Sequence, residues 1–231
     1  MRTNTILFIL GLAILNFSCS SKADFTPEFI EKTSGRYLYT PDETFTIYYE
    51  NDQLFLNWRG AERLKPVVVD QNTIFVADMY KKLRFVEHPE SKDFFLGTVN
   101  PENDDEVTYD YLKLPDTVQI PSAYLRNGDF DKALAGYLKI RENDSTSELI
   151  NEREFNQLGY QYIRQQKYEQ AIDVFKLNVA LYPESSNVYD SLADAYVRSG
   201  DSLQAYNNYK KALELNNGNR RAKEYVEHYE N

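Results

Sequence analysis

Cysteine and histidine are scarce in this chain. Cys19 is the single cysteine among 231 residues, which excludes an intrachain disulfide and any zinc site built from several thiolates. His88 and His228 lie far apart, and neither has a second histidine or a cysteine at metal-ligand spacing. Basic residues are outnumbered, with 26 Lys and Arg against 36 Asp and Glu. The net charge of −10 argues against binding to a nucleic-acid phosphate backbone.

Sequence motifs of catalysis are also absent. The chain has no Gly-x-Ser-x-Gly, Ser-x-x-Lys, His-Glu-x-x-His or glycine-rich phosphate loop. The acidic run at 102–106 lacks the glycine and the alternating spacing of an EF-hand loop, so it predicts a solvated turn. We therefore predict no enzymatic activity, no metal and no cofactor. Apolar residues make up 42% of the chain, which is enough for a folded core.

The first apolar run spans residues 6–15 and follows the lone charge of Arg2. Its length fits the core of a signal peptide and is too short for a membrane span, which needs about 20 residues. The run ends close to Cys19, and Ser18-Cys19-Ser20 resembles a bacterial lipoprotein signal. The resemblance implies cleavage before Cys19 and attachment of diacylglycerol to its thiol. An ordinary secretory leader, cut after Ser18 or Ser21, is the alternative.

This signal predicts where the protein resides. We expect a signal peptide over residues 1–18, a lipidated Cys19 and a tether over 19–26. Several acyl chains on one cysteine give a stable membrane anchor. The resemblance implies a cell-envelope protein of a Gram-negative bacterium. No Asp follows Cys19, and by the same resemblance this absence implies the outer membrane, with the protein facing the periplasm.

Residues 35–114 show the two-residue period of strands with one buried face, for example Phe45, Ile47 and Tyr49. Turn-rich breaks separate the apolar runs. We predict eight strands in an antiparallel meander that closes into a barrel. Their expected ranges are 35–40, 44–50, 53–59, 62–69, 73–78, 81–87, 93–99 and 106–114.

Four short patterns in this half carry a resemblance to a known domain. They are Gly35-x-Tyr37, Asn51-Asp52-Gln53-Leu54, Leu64-x-Pro66 and Leu83-x-Phe85. They resemble the lipocalin-like barrel appended to serine β-lactamase-like hydrolases, which implies an accessory domain without catalytic residues. Such a barrel either holds a small apolar or lipidic ligand or is filled by its own rings. The candidate lining residues are Tyr37, Tyr49, Trp58, Phe85 and Tyr109.

The second half changes to a helical period and repeats itself. Its first unit places, in order, Phe155, Leu158-Gly159, Tyr162, Ala171, Phe175 and Pro183. The same pattern recurs 34 residues later, with Asn217 in place of the closing proline. This period and residue order resemble the tetratricopeptide repeat. The segment from Phe175 to Tyr196 also resembles the repeat tails of the same hydrolases.

The fold class predicted is therefore α+β in two segregated domains, with an N-terminal lipocalin-like barrel and a C-terminal tetratricopeptide solenoid. The expected boundaries are 27–114 for the barrel, 115–120 for a linker, 121–147 for a degenerate repeat, 152–185 and 186–219 for full repeats, and 220–231 for a capping helix. Pro121 is expected in the middle of a shortened first helix.

Tetratricopeptide repeats present their first helices to a concave groove, and the resemblance places eight residues there. They are Arg153, Asn156, Tyr160, Arg164, Asn187, Asp190, Asp194 and Arg198. We predict that this groove binds an envelope protein or peptide, so that the chain acts as a lipid-anchored scaffold. The groove could instead pack on the chain's own barrel. A ligand held inside the barrel is a further hypothesis, as is a non-catalytic accessory role beside a separate serine hydrolase.

Overall fold

The computed structural model describes residues 24–231. The first element is helix α1 (Pro27–Thr33), which the sequence analysis did not predict. Thr26 caps its N-terminus by accepting a hydrogen bond from the Phe29 backbone N–H at 3.2 Å. The Phe29 ring packs edge-on against Phe85, with centroids 5.7 Å apart. Helix α1 therefore contacts the interior of the sheets that follow it.

Ten strands form most of the rest of the first half, as far as the structure describes it. They are β1 (Gly35–Thr40), β2 (Glu43–Glu50), β3 (Gln53–Trp58), β4 (Ala61–Leu64), β5 (Val67–Val68), β6 (Thr73–Val76), β7 (Lys81–Glu87), β8 (Phe94–Asn100), β9 (Asn103–Val107) and β10 (Tyr111–Leu112). Strands β1 to β4 make one sheet in sequence order, and the second sheet runs β10-β8-β7-β6-β5. Strand β9 also pairs with β8. The predicted antiparallel sheet half is thus confirmed.

The prediction of a closed eight-stranded barrel is wrong. The two sheets meet on one side, where Tyr37 bridges to Lys113, but no strand pairing joins β4 to β5 among residues 24–231. The expected strand 62–69 is interrupted because Arg63 has a φ of 56° and Pro66 has no backbone N–H to donate. The expected strand 106–114 is likewise divided into β9 and β10.

Both sheets contribute to one packed core. Tyr37, Phe45 and Leu56 come from the first sheet, and Leu83 and Leu96 come from the second. All five side chains are at most 1% exposed. Burial of each such side chain contributes roughly 1.5–3 kcal/mol. The half is therefore held together by apolar and aromatic packing between its two sheets.

Helices make up the second half. They are α2 (Pro121–Arg126), α3 (Phe130–Asn143), α4 (Glu152–Arg164), α5 (Tyr168–Leu181), α6 (Ser186–Ser199), α7 (Ser202–Leu215) and α8 (Arg220–Glu230). Pro121 lies in the first turn of α2 instead of in mid-helix, where its fixed φ suits the helix start. None of the helices in the described part of the chain is both long and apolar enough to cross a membrane.

Small residues let paired helices approach closely. A Cβ atom built on Gly159 of α4 would lie 2.4 Å from the Phe175 ring of α5. Ala171 and Ala193, which hold the other small positions, are fully buried. The predicted repeat pattern therefore has a direct packing function, because each large ring needs a small neighbour on the facing helix.

The two halves are joined through polar contacts at the C-terminal end of the linker and in the first two helices after it. Arg36 of β1 donates from Nη1 to Gln119 Oε1 at 3.0 Å, and its other terminal nitrogen donates to the Val118 carbonyl. Asp42, in the turn between β1 and β2, accepts hydrogen bonds from the Ser122 backbone N–H at 2.7 Å and the Tyr137 hydroxyl at 2.8 Å. These bonds fix the start of the helical array beside the β1–β2 turn.

Candidate functional site

Four of the eight predicted groove residues lie along helix α4. Arg153 is exposed in the first turn, and Asn156, Tyr160 and Arg164 follow at three- and four-residue intervals on the same face. A surface depression of about 600 Å³ runs along this helix and is lined by the last three, together with Glu154, Gln157, Leu158 and Gln161. The structure thus gathers Asn156, Tyr160 and Arg164 in one concavity, which we call the α4 groove.

Asn156 has unused hydrogen-bonding capacity in the α4 groove. Its Oδ1 atom is buried and has no hydrogen-bond partner among the described residues. Buried polar atoms are almost always hydrogen-bonded, since leaving one unpaired costs about 1–3 kcal/mol. Tyr160 lies one turn further on and packs edge-on against Phe175 at 5.3 Å. The floor of the groove therefore combines a fixed aromatic ring with an amide that lacks a partner.

The remaining predicted residues lie on α6 and are engaged within the chain. Asp190 accepts hydrogen bonds from Asn219 Nδ2 at 2.7 Å and from Arg221. Asp194 pairs with Arg198 Nε at 3.1 Å and approaches Arg221 at 3.8 Å. The side chains of Asp190 and Asp194 are only 15% and 11% exposed. The α6 carboxylates are therefore neutralised by cations from α6 itself and from α8.

Asn187, the last of the predicted groove residues to be placed, links the start of α6 to the start of α4. Its Nδ2 donates to Glu152 Oε1 at 3.0 Å, and the Ser185 hydroxyl donates to the same oxygen at 3.0 Å. Asn178 Nδ2 donates to the Glu152 carbonyl at 3.0 Å. Asn187 thus lies at the edge of the surface, where its contact with Glu152 sets the spacing between the two repeats.

Arg221 is a central residue of this surface that sequence reasoning missed. It extends from the first turn of α8 and lies 5.8 Å from the centre of the Tyr209 ring. Burial opposes its charge, but Asp190, Tyr209 and Tyr160 together raise the pKa of Arg221 above its ordinary value. Burial also raises the pKa of Tyr209 to about 12. The repeat pattern gave no signal for Arg221, because the helix that carries it follows the last full repeat.

A second concavity lies where the helices meet the β half, and we call it the junction pocket. Its volume is about 310 Å³. It is lined by Asp42, Tyr137, Glu148, Leu149, Asn151, Glu154, Phe155 and Leu158. Burial raises the pKa of Asp42, while its hydrogen bonds to Ser122 and Tyr137 act in the opposite direction. No local sequence pattern marks this pocket, since its lining comes from three separated segments.

The aromatic residues considered for a ligand cavity in the barrel do not share one lining. Tyr37 and Phe85 belong to the packed core, and Tyr49 and Trp58 pack against it. Tyr109 lies elsewhere, being 43% exposed. The interpretation that Tyr109 faces the interior is therefore wrong, because its strand ends before it and its ring packs on His88 at 4.7 Å instead.

The structure describes His88 but does not describe Cys19, which lies outside the described residues. His88 accepts backbone hydrogen bonds at Nδ1 from Glu90 and Ser91, at 3.3 and 3.2 Å, and so shapes its own turn. Within residues 24–231 no group of three His, Cys, Asp or Glu side chains is arranged to hold a metal ion.

Part of the chain is similar to known proteins. The chain is 34% identical over 96 residues to the "Heat shock protein STI1" of Saccharomyces cerevisiae, covering 42% of this chain and 16% of that protein's length. A solved structure titled "MamA R50E mutant" has a TM-score of 0.37 and 22% identity, covering 46% of this chain and 74% of its own.

A second structure, titled "First TPR of Spaghetti (RPAP3) bound to HSP90 peptide SRMEEVD", has a TM-score of 0.34 and 23% identity, covering 48% of this chain and 84% of its own. Residues 186–219 match the family model described as "Tetratricopeptide repeat".

Proposed function

We propose that this protein is a non-catalytic scaffold that binds an extended segment of a partner protein in the α4 groove. The observation that carries the proposal is the buried, unpaired Oδ1 of Asn156 beside the Tyr160 ring. A turn of the Asn156 amide toward the groove would let a backbone N–H of a bound segment complete that hydrogen bond, and the ring would support an apolar side chain. Stacked helical repeats form extended concave surfaces of this kind.

The charged side chains of α4 and α6 differ in whether they are available to a bound partner. Arg164 is exposed at the C-terminal end of α4 and is available to a carboxylate of the partner. Asp190 and Asp194 are already paired with Arg221 and Arg198, so they do not compete for the partner's cations. The bound segment is therefore held mainly by α4, which supplies the whole lining of the groove.

We further propose that the scaffold is anchored in the cell envelope through lipid on Cys19, at the outer membrane and facing the periplasm. The apolar run at 6–15 and the position of the lone cysteine just after it support this assignment. The partner is then another protein of the same compartment.

A displayed library of random dodecapeptides tests the groove. Peptides enriched on the mature chain would be synthesised, and their affinities would be measured by fluorescence anisotropy. The test variant is Asn156→Ala with Arg164→Ala, which removes an amide and a cation and leaves the partly buried ring of Tyr160 in place. We expect its affinity to fall by about tenfold or more, the loss that corresponds to one or two hydrogen bonds.

The matched control is Gln170→Ala with Lys176→Ala, two exposed positions on α5. This control should bind like the wild-type chain. Enrichment of no peptide, or equal losses in the test and control variants, would contradict the scaffold proposal.

The anchor has its own test in cells. Cys19→Ala should abolish labelling by a radioactive or alkynyl fatty acid and should move the protein from the membrane fraction to the soluble fraction. Ser20→Ala is the control and should leave both unchanged. Acyl labelling that persists in Cys19→Ala would rule out lipid attachment at this residue.

A further inference from the structure

The α4 groove continues into the junction pocket. Glu154 and Leu158 line both concavities, so a segment that occupies the first can extend a side chain into the second. The pocket volume of about 310 Å³ is in the range of small binding sites, which often form at domain interfaces. Continuity with the groove makes this pocket the natural subsite for one residue of the bound segment.

The lining of the junction pocket combines apolar walls with an acidic rim. Leu149, Phe155 and Leu158 supply the apolar side chains. Glu148 and Glu154 are exposed, and neither forms an ion pair with another residue of 24–231. Asp42 contributes a third carboxylate, whose oxygens already accept bonds from Ser122 and Tyr137. Two carboxylates of the rim are therefore available to a ligand.

We propose, on the basis of the proposed scaffold function, that the junction pocket receives a lysine side chain of the bound segment. The aliphatic stem of such a residue packs on apolar walls while its charged head stays at a polar rim. Here the stem would contact Leu149, Phe155 and Leu158, and the head would reach Glu148 and Glu154. The net charge of −10 also favours the approach of a basic partner.

This arrangement gives the β half a part in recognition. Asp42 lies in the β1–β2 turn and closes one side of the pocket, while Glu148, Glu154 and the apolar walls come from the helical half. Neither half alone encloses the subsite. The specificity of the scaffold for a basic residue then depends on the contact between its two domains.

The test uses the peptides enriched on the mature chain in the dodecapeptide selection. In each binding peptide the lysines are changed one position at a time. Every position is tested in three forms: lysine, Nε-acetyl-lysine and norleucine. The last two keep the stem and remove the charge. The mature chain should lose about tenfold in affinity when one particular lysine is replaced by either, as expected for a charge-assisted hydrogen bond.

The test variant Glu148→Gln with Glu154→Gln should bind all three forms equally, because the rim no longer carries charge. The control variant Glu169→Gln with Glu227→Gln changes the net charge by the same amount at exposed positions on α5 and α8, and should keep the preference for lysine.

Three results would overturn the inference. Binding without any preference for lysine, or a preference that survives in the test variant, overturns the inference alone and leaves the scaffold proposal intact. A failure of the wild-type chain to bind any peptide overturns both.

Discussion

The hydroxyl of Tyr137 donates a hydrogen bond of 2.8 Å to Oδ2 of Asp42, joining residues 95 positions apart. Oδ1 of the same carboxylate accepts the backbone N–H of Ser122 at 2.7 Å, close to the start of α2. One side chain of the β half therefore holds both helices of the first pair. The junction pocket exists because this turn is fixed against α2 and α3.

Removal of the Tyr137 hydroxyl should measure how strongly the two halves are coupled. Tyr137→Phe keeps the ring, which packs edge-on against Phe155 at 5.1 Å. It leaves an oxygen of Asp42 unpaired, so we expect a loss of about 1–3 kcal/mol in urea unfolding. In an Asp42→Ala background the same substitution should cost less. Equal costs in the two backgrounds would show that the bond does not stabilise the fold.

The pH dependence of stability should carry the signature of Asp42. Burial raises the pKa of this carboxyl above its unfolded value, so the native state binds the proton more tightly. Its stabilising contribution is then complete below the unfolded pKa of about 3.9 and is lost as the pH rises through the native pKa. Asp42→Asn has no such titration. The difference in unfolding free energy between Asp42→Asn and wild type should therefore shift in favour of the variant as the pH rises from below the unfolded pKa through the raised native pKa.

Asp144→Asn provides a control of opposite sign. Hydrogen bonds from Thr146 lower the pKa of Asp144, so its contribution is present above the unfolded pKa and lost as the pH falls through the native pKa. The unfolding free energy of Asp144→Asn should therefore fall relative to that of the wild type as the pH rises. Parallel stability curves for Asp42→Asn and wild type would exclude the assigned role of Asp42.

Local patterns in the sequence were sufficient to predict most elements but not their long-range contacts. Alternating side chains such as Phe45 and Ile47 predicted strand β2, and the 34-residue period predicted the helix pairs. Barrel closure was wrongly predicted because one proline, Pro66, outweighs the apolar pattern around it. The contacts of Asp42 and Arg221 could not be predicted, since their partners are set by how distant segments pack.

The close crossing of α4 and α5 should tolerate no side chain at Gly159. A methyl group there would lie 2.4 Å from the Phe175 ring, so the ring or a helix must move. Such overpacking costs about 1–3 kcal/mol, which outweighs the roughly 1 kcal/mol that alanine gains in helix propensity. Gly159→Ala should thus lower the urea midpoint, and Phe175→Leu should reduce that effect by removing the ring. Additive effects of the two changes would show that the register of this crossing is incorrect.

The ion pairs of Arg221 should hold the last helix in place. Arg221→Gln removes the cation that Asp190 and Asp194 share. The loss is costly because both carboxylates are largely buried. We expect a loss of about 1–2 kcal/mol and faster amide hydrogen exchange in α6 and α8, with exchange in the β half unchanged.

The neighbouring residue supplies a matched control for Arg221. Arg220 pairs with Glu224 at 3.3 Å, but the two side chains are 89% and 67% exposed. Exposed pairs at this spacing contribute about 0.3–0.5 kcal/mol, so Arg220→Gln should change stability little. The two variants remove the same charge from adjacent positions, but Arg221→Gln leaves two largely buried carboxylates and the Tyr209 ring without their cation, whereas Arg220→Gln leaves one exposed carboxylate. Equal effects of Arg220→Gln and Arg221→Gln on exchange in α8 would mean that the net charge of the helix stabilises the end of the array. The specific Asp190–Arg221–Asp194 contacts would then contribute nothing.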